Sequence, residues 1–184
     1  MDLGVVAINH DGATIGNVNV VIRHPQTLLP SESFYYSEHW VNAGFSPADT
    51  VCELTGLSVS SAVRRADREY IIAGILSFAV MAAMDREISL VSTVQRKRLI
   101  DKLENKYRYQ FTHNTIASLY KSEKTPDDGY WKSSASPGIF YMKTSDVKAL
   151  AATFNLVRSM STSKISMVNF SSVNAKPNPL AACV

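Results

Sequence analysis

Apolar and polar positions change rhythm along the chain. In residues 3–23, an apolar run from Gly4 to Ile8 leads into the turn residues Asn9-His10-Asp11-Gly12. Val18, Val20 and Ile22 then alternate with Asn17, Asn19, Val21 and Arg23. Period-two alternation on either side of a glycine-bearing turn predicts a β-hairpin with one buried face. Residues 24–45 read as a loop broken by Pro25 and Pro30 and loaded with Phe34, Tyr35, Tyr36 and Trp40, with a short helix near 38–43. From Ser46 the pattern reads as helical. Ser46, Pro47 and Asp49 suit a first turn, Gly56 a helix end and Ser58 the cap of a second helix running to Met84. A third helix is expected from Ser92-Thr93 to Phe111, with Leu99, Ile100 and Leu103 on its apolar side. A short helix over 115–122, a loop over 124–142, a last helix over 146–160 and a strand over 165–173 complete the reading. The predicted fold class is mainly α: a helical-bundle core with an N-terminal β-hairpin and extended terminal arms. The domains are an arm at 1–45, a core at 46–160 and a C-terminal arm at 161–184.

Composition narrows the classes. The 184 residues are 46% hydrophobic and 19% charged, with a net charge of +3. This is one domain's worth of chain with a lightly charged surface, and any polyanion binding must come from where the charge sits. The most apolar stretch, 70–84, is shorter than the roughly 20 residues that span a bilayer, so it reads as a buried helix and no membrane partner is expected. The N-terminus carries no basic leader. Cys52 and Cys183 form neither a CxxC pair nor a disulfide framework, and His10, His24, His39 and His113 share no ligand spacing. No metal or cofactor is therefore expected.

Few motifs of catalysis are present. Phosphate-binding glycine loops and a GxSxG elbow are missing, Cys52 reads as a small buried hydrophobe, and Asp127-Asp128 falls in a turn between Pro126 and Gly129. The charge is concentrated in one place. Arg96, Lys97, Arg98, Lys102, Lys106 and Arg108 are opposed there by Asp101 and Glu104, and Tyr107, Tyr109 and Phe111 lie at the end of the row. Cations beside aromatic rings suit single-stranded nucleic acid, which offers phosphates and unstacked bases. The candidate RNA-binding residues are Arg96, Arg98, Lys102 and Lys106, with Arg64, Arg65 and Arg68 in support and Tyr107 or Tyr109 stacking on a base. Residues 51–65 also carry the rhythm of a helix-turn-helix, which makes a DNA-binding regulator the alternative. A small enzyme with a pocket invisible in the sequence is a third reading.

The layout resembles the coat proteins of filamentous or rod-shaped plant RNA viruses. The resemblance rests on the basic, aromatic-tinged helix 96–111, the Pro- and Trp-containing loop 126–131, and the small-residue segment Ala149-Leu150-Ala151-Ala152-Thr153-Phe154. It implies a structural protein and not an enzyme. Many copies would assemble around single-stranded RNA through backbone phosphates, in a virion and in host cytoplasm.

Overall fold

The computed structural model describes residues 3–24, 26, 28–33, 49–115, 137–160 and 166–171. In chain order its elements are β1 (Leu3–Ile8), β2 (Thr14–Ile22), a 3-10 turn (Pro30–Ser33), β3 (Val51–Val59), α1 (Arg65–Met84), β4 (Leu90–Gln95), α2 (Lys97–Tyr107), β5 (Thr112–His113), β6 (Gly138–Lys143), α3 (Val147–Met160) and β7 (Ser166–Ser171). The strands make one seven-stranded sheet in the order β5-β6-β4-β3-β2-β1-β7. β3 and β4 are parallel; every other pairing is antiparallel.

This corrects the mainly helical expectation: the protein is a mixed α/β fold on one sheet. The hairpin β1–β2 turns at Asn9, whose side-chain oxygen accepts from Asp11 N and Ala13 N, while Gly12 adopts φ 81°. The helix expected to end at Gly56 is strand β3, and the helix-turn-helix reading falls with it. Ser92-Thr93 lies inside β4 rather than capping a helix. Gly138–Lys143, expected as loop, is a strand whose Ile139, Phe140 and Met142 are buried between neighbours. Expectations for the helix at 38–43, the helix at 115–122 beyond its first residue, the turn at Asp127-Asp128 and the arm beyond residue 171 lie outside the described residues.

α1 fills the core. Its buried residues include Ile71, Ala73, Ile75, Leu76, Ala79, Val80 and Ala83, which occupy more than one side, as a helix enclosed by protein requires. It lies across β1, β2, β3 and β7, with α3 packed beside it. Alternate strand residues Leu3, Val5, Val18, Val20, Cys52, Leu54 and Val91 meet it from the sheet. The approach is close at Gly16, where an added Cβ would stand 2.7 Å from Ile75 Cδ1.

Candidate active site

The central pair of strands does not stay together. β3 and β4 are in register from Val51↔Leu90 to Leu54↔Thr93, and there the pairing ends. Beyond it β3 continues to Val59 against β2, and β4 continues to Gln95 against β6. The parallel pairing thus ends part-way along both strands, at the middle of the sheet, and they part there as a wedge.

The cause lies in β3. Asn17 pairs with Ser58 and Asn19 with Thr55, so Gly56 and Leu57 together oppose Val18. This is a β-bulge whose first residue, Gly56, has φ 65°, a left-handed conformation natural to glycine. Such a bulge bends its strand and increases its twist. Regular alternation would place the carbonyls of residues 52, 54 and 56 on the edge facing β4. Cys52 O and Leu54 O do face it, accepting from Ser92 Oγ at 2.9 Å and Thr93 Oγ1 at 3.1 Å. Gly56 O instead accepts from Asn17 Nδ2 on β2 at 3.2 Å, and Ser58 Oγ donates to Asn17 Oδ1 at 2.6 Å.

One residue before the split stands Glu53. Its neighbours Cys52 and Leu54 point into the α1 core, so Glu53 points to the opposite face of the sheet, where it is 3% exposed. The 3-10 turn covers it: Ser31 N donates to Glu53 Oε2 at 2.9 Å. The same turn carries a second buried carboxylate, Glu32, which accepts from Leu29 N at 2.7 Å and pairs with Arg23 Nη2 at 2.9 Å. Burial raises the Glu53 pKa above the ordinary carboxylate value; the bonds from Ser31 oppose this and the charge of Glu32 adds to it. Behind the sheet, burial pushes the Cys52 thiol up to about 12, with Glu53 adding to the shift. This sulfur is not a nucleophile near neutral pH.

From the end of β3 the chain runs through Ser60–Arg64 into α1. Arg68, in the second turn of the helix, reaches back and donates to Val63 O at 2.9 Å and Ser61 O at 2.7 Å. The helix cap, Arg64, makes no side-chain cap bond. Asp67 N and Arg68 N both donate to Arg64 O, which leaves the N–H groups of Arg65 and Ala66 at the positive end of the helix.

The basic row of the sequence has a different fate. Lys102 and Lys106 both reach Glu69 of α1, and Lys97 pairs with Asp101. Glu69 is consequently held below its ordinary pKa, chiefly by its bond from Lys102. Arg98 is exposed on α2, Arg96 half-buried at its start, and Arg64 is paired with Asp67 at 2.7 Å. Arg65 is exposed and Arg68 is the loop staple just described. Tyr107 stands 6.5 Å from Tyr70, ring to ring, with Lys106 Nζ 5.4 Å from its centroid. Tyr109 is 2% exposed; its hydroxyl donates to Ala73 O and bonds Ser77 Oγ within the core. The structure brings Arg98, Lys102 and Lys106 to one groove beside Glu69, with Tyr107 next to Lys106; Arg64, Arg65 and Arg68 lie at the start of α1, and Tyr109 is in the core. Glu53 and the bulge were missed by reasoning from sequence. The available signal was one carboxylate among the hydrophobic residues Val51, Cys52 and Leu54.

No protein family and no curated protein matches this chain by sequence. Solved structures do match. The fold is shared with acyl-homoserine lactone synthases. TofI in an apo form aligns with TM-score 0.53 at 13% identity over 83% of this chain and 73% of that one. The CoA-dependent synthase BjaI, solved with SAM and isopentyl-CoA, aligns with TM-score 0.52 at 11% identity over 84% and 64%. The CoA-dependent synthase MesI aligns with TM-score 0.50 at 14% identity over 84% and 69%.

These matches overturn the coat-protein reading and what it implied. The fold is one that solved enzymes use, so the expectation of a non-enzymatic structural protein loses its ground. Single-stranded RNA, a many-copy assembly and a place in a virion or host cytoplasm go with it, and the DNA-binding alternative is equally unsupported. Among the described residues, no helix is long and apolar enough to cross a membrane, and no cluster of His, Cys, Asp or Glu could hold a metal ion.

Proposed function

We propose that this protein is an acyltransferase that moves an acyl group from a pantetheine thioester, such as an acyl-CoA, to an amine. The observation that carries the reading is the opening of the parallel pair after Leu54 and Thr93. A pantetheine arm is a slim, extended chain with two amides. It fits between two strands that part from each other after a short parallel ladder. At one end of the wedge, the exposed N–H groups of Arg65 and Ala66 and the side chain of Arg65 suit a diphosphate.

At the other end Glu53 supplies the acid–base group. The amine nitrogen attacks the thioester carbonyl carbon, a C–N bond forms, and the C–S bond breaks. The proton released by nitrogen passes to the Glu53 carboxylate and on to the departing sulfur, giving an amide and a free thiol. A carboxyl whose pKa is raised by burial is suited to both halves of that transfer. Cys52 takes no part, because its thiol stays protonated, and transfer is direct. The solved BjaI complex with SAM and isopentyl-CoA supports the substrate class.

The test is thiol release. The purified chain is incubated with a panel of acyl-CoA thioesters and amine acceptors, SAM among them, and free CoA is followed with a thiol reagent. Amine-dependent release above the uncatalysed rate supports the reading. No release with any pair, together with no measurable binding of CoA, contradicts it.

A further inference from the structure

Asn17 lies on β2, outside both edges of the wedge, and nothing in its position suggests contact with a substrate held there. It is half-buried, and its amide spans the bulge, with Nδ2 on Gly56 O and Oδ1 on Ser58 Oγ. Gly56 O is the next carbonyl due on the β4 edge after Cys52 O and Leu54 O. On β4, Ser92 and Thr93 use their hydroxyls to hold those two. If Gly56 O turned the same way, it would extend the row of carbonyls facing β4 by one and draw the strands together. The Asn17 amide gives it a donor on the other side.

We infer that Asn17 is a positioning residue: by capturing the Gly56 carbonyl and tying it to Ser58, it holds the β3 bulge in the form that keeps the wedge between β3 and β4 open to a pantetheine arm. Two features make the capture specific. Gly56 adopts φ 65°, which turns its peptide out of the strand's alternation, and a Cβ there would stand 3.1 Å from the side-chain nitrogen of Asn19. The amide of Asn17 meets an acceptor and a donor at once, a demand that an aspartate or an aliphatic side chain does not satisfy. Both contacts come from one rigid strand to another, so their loss frees the bulge rather than the whole sheet. The inference rests on the acyltransferase reading of the wedge.

The experiment compares CoA with ADP, which carries a diphosphate but no pantetheine arm, by titration calorimetry on the full chain. The proteins are the wild type, Asn17→Asp and Ser58→Ala. Asn17→Asp keeps the acceptor for Ser58 and removes the donor to Gly56 O. It should weaken CoA about tenfold, the scale of one lost hydrogen bond plus a free carbonyl, with ADP unchanged. Ser58→Ala leaves the Gly56 contact in place and should weaken CoA by no more than about threefold. Equal CoA affinity in the wild type and Asn17→Asp overturns the inference. So does an equal loss of CoA and ADP, which would make Asn17 a general support of the fold. A wild type that binds no CoA overturns the acyltransferase reading itself, and is told apart from the other outcomes by the wild-type titration alone.

Discussion

Strand β3 and helix α2 make an instructive pair. α2 and its flanks hold the densest charge in the sequence, and β3 holds a single charged residue, Glu53. Yet the α2 cations are largely spent at home: Lys97 on Asp101, Lys102 and Lys106 on Glu69. Exposed pairs of this kind are worth little to stability and leave a weakened field for a partner. Glu53 is buried, its pKa is displaced, and it stands beside the break in the sheet. Charge density along the sequence leads here to an exposed helix whose lysines are paired within the chain, whereas burial leads to a single carboxyl beside the end of the parallel pairing.

The largest expected effect separates the two regions by activity. Glu53→Gln keeps an acceptor for Ser31 N and removes the proton carrier, so acyl transfer should fall at least about a hundredfold with CoA affinity retained. A variant with full turnover would move the chemistry away from β3. Gly56→Val places a branched side chain at φ 65°, which should cost about 1–3 kcal/mol in a thermal or urea melt. A melt indistinguishable from the wild type would mean that the bulge is not held as described.

A subtler contrast lies in pH. The folded chain keeps the Glu53 proton to higher pH than the unfolded chain does, so this group lowers stability as pH rises from the ordinary carboxylate value through the raised one. Glu53→Gln lacks that loss. Its midpoint relative to the wild type should rise as pH climbs above the ordinary carboxylate value, and a constant difference would argue that Glu53 ionises normally. The smallest effect belongs to α2: replacing Lys102 and Lys106 together with Gln should shift the thermal midpoint by no more than about 2 °C and leave CoA affinity unchanged.

The contrast also explains what the sequence revealed. The hairpin was legible because its alternation runs unbroken on both sides of Asn9–Gly12. α1 was legible as a long apolar run; α3 was legible as a helix but not in its buried side, which is Ala152, Leu156 and Met160, while Phe154 is 47% exposed. β3 was not, because the bulge itself hides the strand. Its core-facing positions are Cys52 and Leu54, then, after the extra residue, Leu57 and Val59. The resulting gaps of two, three and two break the period of a strand. Gly56 and Ser58 then supply the marks of a helix end and a new cap. Ser92 and Thr93 imitate a cap in the same way while their hydroxyls serve the carbonyls of β3. Glu53 was hidden for a related reason, since a carboxylate on an expected helix draws no notice. The bulge that ends the parallel pairing is thus also what disguised the strand.

Hydrogen–deuterium exchange of the full chain with and without CoA distinguishes a ligand held at the end of β3 from one held on the basic helix. The account predicts slowed exchange over residues 55–64, the end of β3 and the loop into α1, with residues 97–107 unchanged. Protection over 97–107 with none over 55–64 would contradict it and return the ligand to the basic helix.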